Sequence, residues 1–251
     1  MTLIEAVQGD VAVDVAPRRE PRHAHLDPPT SPSRLLLEPR RPFLLVAALF
    51  LTLAVAAATR GGSLLLHVDE PIGRFVVEHR TAWLDRVVRN ISFFGSTRVV
   101  LVGGLALAIV AWPKCRMVAA LIVAATLTRP PLEFVLKLAV HRDRPEIDQM
   151  VHGAGYSFPS GHPMAAATLW LMVPIVVSLY TSSRRAWTVA TIAALLAVAL
   201  IGASRVYLGV HWPIDVLAGG LAAAMLLAGL DLAFRRLHAL RACTATRTRP
   251  A

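Results

Sequence analysis

The sequence predicts an all-α, polytopic membrane protein with six transmembrane helices. Three observations carry this. The 251-residue chain is 55% apolar, with a mean hydropathy of +0.57, greasier than an ordinary soluble domain. Its apolar residues gather into six runs. Basic residues bracket those runs instead of forming one patch. The last point, with an aromatic content of only 6%, excludes a nucleic-acid partner despite the formal charge of +10.

Residues 1–41 form a polar tail containing Arg18, Arg19, Arg22, Arg34, Arg40 and Arg41. With Pro42 it holds seven of the 17 prolines. The first apolar run starts too late for a cleavable secretory signal, so a disordered cytoplasmic tail is expected. The first two spans fall within 42–112. The first is Pro42–Thr59, just long enough to cross a bilayer, and the second is Val99–Trp112. Between them, Phe75, Val76, Val77, Trp83, Leu84, Val87 and Val88 alternate with charged residues at helical spacing. That pattern predicts an interfacial amphipathic helix over about 71–90.

The remaining four spans lie within 117–234: Met117–Val140, Pro163–Tyr180, Trp187–Ala203 and Pro213–Phe234. The first of these contains Pro130-Pro131, which predicts a kink or break. It also contains Arg129 and Glu133, one helical turn apart and able to pair. A basic tail closes the chain at 235–251.

Charge sets the orientation. With both termini cytoplasmic, the tails, the Lys114/Arg116 turn and the Arg184/Arg185 turn all lie inside, as the positive-inside rule requires. The arginine-rich 60–98 loop is the exception. Cys115 and Cys243 have no zinc-type spacing and form no disulfide framework; on the cytoplasmic side both are expected to be reduced. The chain has no internal repeat and no GxGxxG, P-loop or HExxH motif.

The same orientation puts three polar clusters on the extracytoplasmic side. Lys137 and Arg144 are seven residues apart, nearly on one helical face if the helix continues to Pro145. Two such cations can hold the oxygens of one phosphate, although snorkelling side chains read the same way. Pro159-Ser160-Gly161-His162 opens a helix whose N-terminus can present N–H groups to an anion; a plain helix start is the alternative. Ser204-Arg205 ends a span, His211 follows, and Asp215 lies one turn beyond His211. That aspartate can fix the tautomer of His211 and leave its other nitrogen free to attack, or it can simply be an N-terminal helix charge. His141 and His152 read as surface residues.

Lys137-x6-Arg144-Pro145, Pro159-Ser160-Gly161-His162 and Ser204-Arg205-x5-His211-x3-Asp215 together resemble the three-part signature of the type 2 phosphatidic acid phosphatase family. That family shares its core with vanadium haloperoxidases and bacterial acid phosphatases. The resemblance covers 117–234 and implies a core helix bundle of the acid phosphatase/haloperoxidase fold. It implies hydrolysis of a lipid phosphate with no cofactor and no metal. His211 would be the nucleophile, forming a phosphohistidine; Asp215 would orient it, and His162 would act as acid and then base. Lys137, Arg144, Ser160, Gly161 and Arg205 would bind the phosphate. The substrate would be amphiphilic: an isoprenyl pyrophosphate, phosphatidic acid or phosphatidylglycerol phosphate. A phosphotransferase, and a non-catalytic lipid-binding or transport protein, are the alternatives. Location in the plasma membrane follows; the sequence assigns no oligomeric state.

Overall fold

The computed structural model describes residues 40–59 and 63–236. The N-terminal tail up to residue 39 and the basic tail from 237 lie outside the described residues. Within them the chain is helical, with no strand. In order the helices are α1 (Arg40–Ala58), α2 (Ser63–Glu78), α3 (Ala82–Phe93), α4 (Thr97–Ala111), α5 (Arg116–Val140), α6 (Gly161–Trp170), α7 (Val173–Tyr180), α8 (Arg184–Tyr207) and α9 (Pro213–Arg236).

Four stretches are long and apolar enough to cross a membrane: Arg116–Val140, Gly161–Tyr180, Arg184–Tyr207 and Pro213–Phe234. Two bent pairs, α1 with α2 at 95° and α3 with α4 at 48°, bring the number to six if each pair counts as one span. The described chain therefore carries four to six spans.

Three sequence expectations change. The single amphipathic helix over about 71–90 is instead two helices, α2 and α3. They part at residues 79–81, where extended Thr81 accepts a hydrogen bond from the Leu84 N–H and starts α3 afresh. At the other prolines, α5 stays one helix through Pro130 and Pro131. Each proline removes one helical donor, but α4 packs directly on this turn. An added Cβ at Gly104 would lie 2.5 Å from Thr126 Oγ1. Cys115, buried before α5, forms a disulfide where a reduced thiol was expected; two lone cysteines give no framework from which a pairing can be read.

α9 is the hub. It packs against α6, α1, α5, α8 and α2. Its small residues Ala218, Ala222 and Ala223 are buried with Phe50, Leu65, Phe158 and Met164, and small residues let membrane helices approach closely. A second cluster joins Ala111, Val118, Leu121, Ile122 and Ala125 to Met172, Ile175 and Val176 at the other end of α5. Outside, α8 presents Val189, Ile192, Leu195, Leu196 and Leu200 as exposed apolar residues. In a membrane protein such a face meets lipid.

The closest approach in the hub sets the functional end of the bundle. Gly219 on α9 faces the backbone of Ser160 and the ring of Pro163 at the start of α6. An added Cβ would overlap the Ser160 carbonyl oxygen and lie 3.0 Å from Pro163 Cγ. Backbone cannot swing aside as a flexible side chain can. Gly219→Ala is expected to destabilise the protein by about 1–3 kcal/mol, as overpacking does, and to lower the thermal midpoint in detergent. Gly220→Ala is the control, because nothing lies within 4 Å of its added Cβ. Equal midpoints for the two variants would refute the close-contact argument.

Candidate active site

Lys137 sits in the last turn of α5. The helix ends at Val140, and His141 turns the chain in the left-handed region at φ 53°. Lys137 and Arg144 therefore do not share a helical face; the helix stops before Arg144. They meet by another route. Lys137 Nζ donates to the Tyr156 carbonyl at 2.8 Å, and Arg144 reaches the same carbonyl at 3.3 Å.

The loop between α5 and α6 wraps around Arg144. Its guanidinium donates to the carbonyls of Gly155 at 2.8 Å, Ala154 at 2.8 Å and Val210 at 2.6 Å. Gly153 is needed here, because a Cβ would come within 2.8 Å of the guanidinium carbon. One nitrogen, Nη1, also lies 3.1 Å from His211 Nε2. Burial draws the Arg144 pKa below the ordinary arginine value, with Asp215 and Glu133 opposing.

His211 is buried, in the short turn between α8 and α9. Burial pushes its pKa down to about 4, although the Asp215 carboxylate opposes the shift. It is therefore a neutral imidazole at neutral pH. Its Nδ1 is 3.8 Å from Asp215 Oδ2, too long for a direct hydrogen bond. Ser157 lies between them: its hydroxyl donates to Asp215 Oδ2 and is 3.5 Å from His211 Nδ1. Asp215 Oδ2 also accepts the Trp212 N–H at 2.9 Å, half of a capping box at the start of α9. Oδ1 accepts from Arg142 Nη1 at 2.7 Å. Arg142 in turn holds Asp69 of α2 through Nη2 at 2.6 Å.

Ser160 and Gly161 begin α6, tied to α9 by the Ser160 N–H, which donates to the Asp215 backbone carbonyl at 3.0 Å. The Ser160 hydroxyl is buried and has no hydrogen-bond partner, which a native structure tolerates rarely. Gly161 faces the Glu133 carboxylate so closely that a Cβ would overlap it. Glu133 pairs with Arg129 at 2.6 Å, as the sequence suggested, and lies 3.8 Å from Lys137. His162 follows, within electrostatic reach of Arg205, Arg129 and Lys137. Arg205, buried near the end of α8, donates to Ser92 of α3 at 2.7 Å, while its Nε has no partner. His141 and His152 are exposed.

The three clusters thus meet at one end of the bundle. Lys137, Arg144 and Arg205 supply positive charge, a helix N-terminus supplies N–H groups, and a neutral imidazole lies beside them. Such a set can bind a tetrahedral anion and attack it. Among the described residues, no group of three or more His, Cys, Asp or Glu side chains is placed to hold a metal ion. Sequence reasoning missed Ser157, Arg142 and Asp69. Asp69 did carry a signal: it is a carboxylate inside an apolar stretch, where charge needs a partner.

Comparison with known proteins agrees with this geometry. Residues 113–238 match the model of the PAP2 superfamily. Phosphatidylglycerophosphatase B of Bacillus subtilis is 34% identical over 202 residues, covering 76% of this chain and 97% of that protein. An undecaprenyl-diphosphatase of Sulfolobus acidocaldarius is 44% identical over 66 residues, 26% of this chain and 28% of its own length. Among solved structures, a transmembrane PAP2 type phosphatidylglycerolphosphate phosphatase from Bacillus subtilis superposes with a TM-score of 0.67. Its identity is 28%, and the match covers 77% of this chain and 96% of that one. Aquifex aeolicus LpxE shares the fold, with a TM-score of 0.51 at 23% identity over 65% of this chain and 95% of its own. With its three clusters at one end of the bundle and its membrane-spanning helices, this chain belongs to the PAP2 superfamily and is a membrane lipid phosphatase.

Proposed function

We propose that the protein hydrolyses a phosphate monoester or pyrophosphate of an amphiphilic lipid through a phosphohistidine at His211, without a metal ion. The observation that carries this reading is the setting of His211: a buried, neutral imidazole with Nε2 beside the Arg144 guanidinium at 3.1 Å. A phosphate held by Arg144 meets that nitrogen directly.

In the first step the Nε2 lone pair attacks phosphorus. The P–O bond to the leaving group breaks, and His162 gives its proton to the departing oxygen. In the second step His162 takes a proton from water, and the resulting hydroxide attacks the phosphohistidine. The P–N bond breaks, returning its electron pair to Nε2 and releasing orthophosphate. Each is ordinary general acid–base work. Lys137, Arg144, Arg205, the N–H groups at Gly161 and the Ser160 hydroxyl hold the phosphoryl oxygens, where preorganised charge acts most strongly. That charge takes the place a metal holds in other phosphatases. Asp215 orients His211, with Ser157 between them.

The exposed apolar faces of the bundle argue for a substrate whose tail stays in lipid and whose phosphate enters at the helix ends. Phosphatidylglycerol phosphate, phosphatidic acid and isoprenyl pyrophosphates fit that description. We place both termini in the cytoplasm and the site on the extracytoplasmic side of the plasma membrane, on the distribution of basic residues.

The test is phosphate release by detergent-purified protein, with chelator present, from a panel of these lipids. Release should survive chelation and disappear in His211→Ala; release by that variant at the wild-type rate would sink the mechanism. Vanadate should inhibit by adopting the geometry of the transition state. Inhibition should also weaken in Arg205→Ala, which loses one oxygen-binding cation, by about 10²–10³-fold if it acts as one oxyanion donor does. The acid-base state of His211 is open to measurement by histidine-labelled NMR in detergent. Its imidazole is expected to remain neutral until pH falls to about 4, below the ordinary value of about 6.5. Above that point the nucleophile is available; below it, protonation removes the lone pair. A signal titrating at the ordinary value would contradict the buried, neutral nucleophile.

A further inference from the structure

Asp69 lies on α2, outside the matched span of 113–238, and has no solvent exposure at all. Its two oxygens are divided between two tasks. Oδ1 accepts the Ile214 N–H at 3.0 Å, capping α9 from another helix where Trp212 has no acceptor side chain to offer. Oδ2 accepts from Arg142 at 2.6 Å. Arg142 extends its other nitrogen to Asp215 at 2.7 Å and stacks over Trp212, with 5.8 Å from guanidinium to ring centroid. All three charged side chains are sealed from water.

The charge count of this cluster matters more than its hydrogen bonds. An arginine paired with Asp215 alone would cancel the catalytic carboxylate, leaving no net charge to stabilise a positive imidazole. The second carboxylate restores it: Asp69, Arg142 and Asp215 together carry one net negative charge. Forming a phosphohistidine makes the His211 ring cationic. A buried cluster with one net negative charge, Ser157 between it and the ring, compensates that charge where water cannot.

We propose that Asp69 is a positioning residue for the phosphoryl transfer, acting through Arg142 to hold Asp215 in place and to keep its side of His211 net negative. The inference rests on His211 being the nucleophile. Its test uses full-length protein in detergent and three variants, Asp69→Asn, Arg142→Gln and the double variant. All are normalised to folded protein and read as kcat, KM and the acid limb of kcat/KM.

The signs follow from charge. The groups facing His211 are Asp215 from α9, Arg144 from the α5–α6 loop, Arg205 from α8 and His162 from α6; none of them is altered in these variants. Asp69→Asn removes a negative charge, so the acid limb should move to lower pH. Its kcat should fall on the order of 10–100-fold, as misplacement of a reacting group does, with KM changing little. Arg142→Gln removes a positive charge, so its acid limb should move to higher pH. The double variant restores one net negative charge, and its limb should return towards wild type. A residue that only caps α9 would change the thermal midpoint without opposite shifts of the limb. Shifts in the same direction, or an Asp69→Asn variant with wild-type kcat, would overturn the inference. If Asp69→Asn does not fold, Arg142→Gln and the double variant still decide. The double variant must then have its limb at lower pH than Arg142→Gln, and coincident limbs would overturn the inference. Wild-type protein releasing no phosphate would overturn the assignment of the site as well; wild-type release with an unaffected Asp69→Asn would overturn this inference alone.

Discussion

A carboxylate with no water around it must find every hydrogen bond inside the protein or lose its charge. Asp215 is that carboxylate, and the architecture of the site follows from satisfying it. Its side chain accepts from Arg142, from the Ser157 hydroxyl and from the Trp212 N–H. Its backbone carbonyl accepts from Ser160. Two of these four donors come from the loop after α5, one from the turn before α9 and one from the start of α6. One residue therefore ties together the stretches that hold all three sequence clusters, and through Arg142 and Asp69 it ties in α2. Breaking a buried pair by removing one partner costs about 3–5 kcal/mol, so such a junction holds a rigid end on the bundle.

The opposite charge raises a second problem. Lys137, Arg144 and Arg205 converge at one end of the bundle, and like charges held together repel. The protein offsets this largely with dipoles in place of countercharges. Backbone carbonyls of residues 154–156 and 210 accept hydrogen bonds from Arg144 and Lys137, and the Ser92 hydroxyl accepts one from Arg205. Among the described residues, Glu133 pairs with this group as a counterion, at 3.8 Å from Lys137. Carbonyl oxygens orient the cations without neutralising them, so the field they make remains available to an incoming phosphate. The unpartnered Nε of Arg205 and hydroxyl of Ser160 are donors left over, as the proposed phosphate binding requires.

How much of this the sequence displays depends on the distance over which each partner must be found. The apolar runs and the three clusters are local patterns, and they placed α5, α6, α8 and α9 with their polar ends together. The route by which Lys137 and Arg144 meet is not local. A helical face would have aligned them, but the left-handed turn at His141 ends the helix first, and a shared carbonyl at Tyr156 does the work instead. The same holds for Arg142, whose partners Asp69 and Asp215 each lie 73 residues away. No periodicity connects residues that far apart; only the packed fold does. Ser157 is hidden for another reason, since a serine in a loop carries no pattern until its neighbours are known. The split between α2 and α3 was missed because the apolar spacing runs on through Thr81, while the cap that stops it is a single hydroxyl.

The direction of the chain explains why these chemistries share one end. Successive long helices of a bundle alternate in direction, so the end of α5, the start of α6, the end of α8 and the start of α9 fall together. The helix starts point N–H groups and a positive partial charge into the space between them. The helix ends contribute instead side chains that reach beyond them, Lys137 and Arg205. Each half supplies what the other lacks: backbone donors with a fixed direction on one side, full charges on the other. His211, the proposed nucleophile, lies in the turn between α8 and α9 and needs no element of its own. Ser157 bridges it to the carboxylate of the helix that follows it, and the turn leaves its Nε2 beside Arg144.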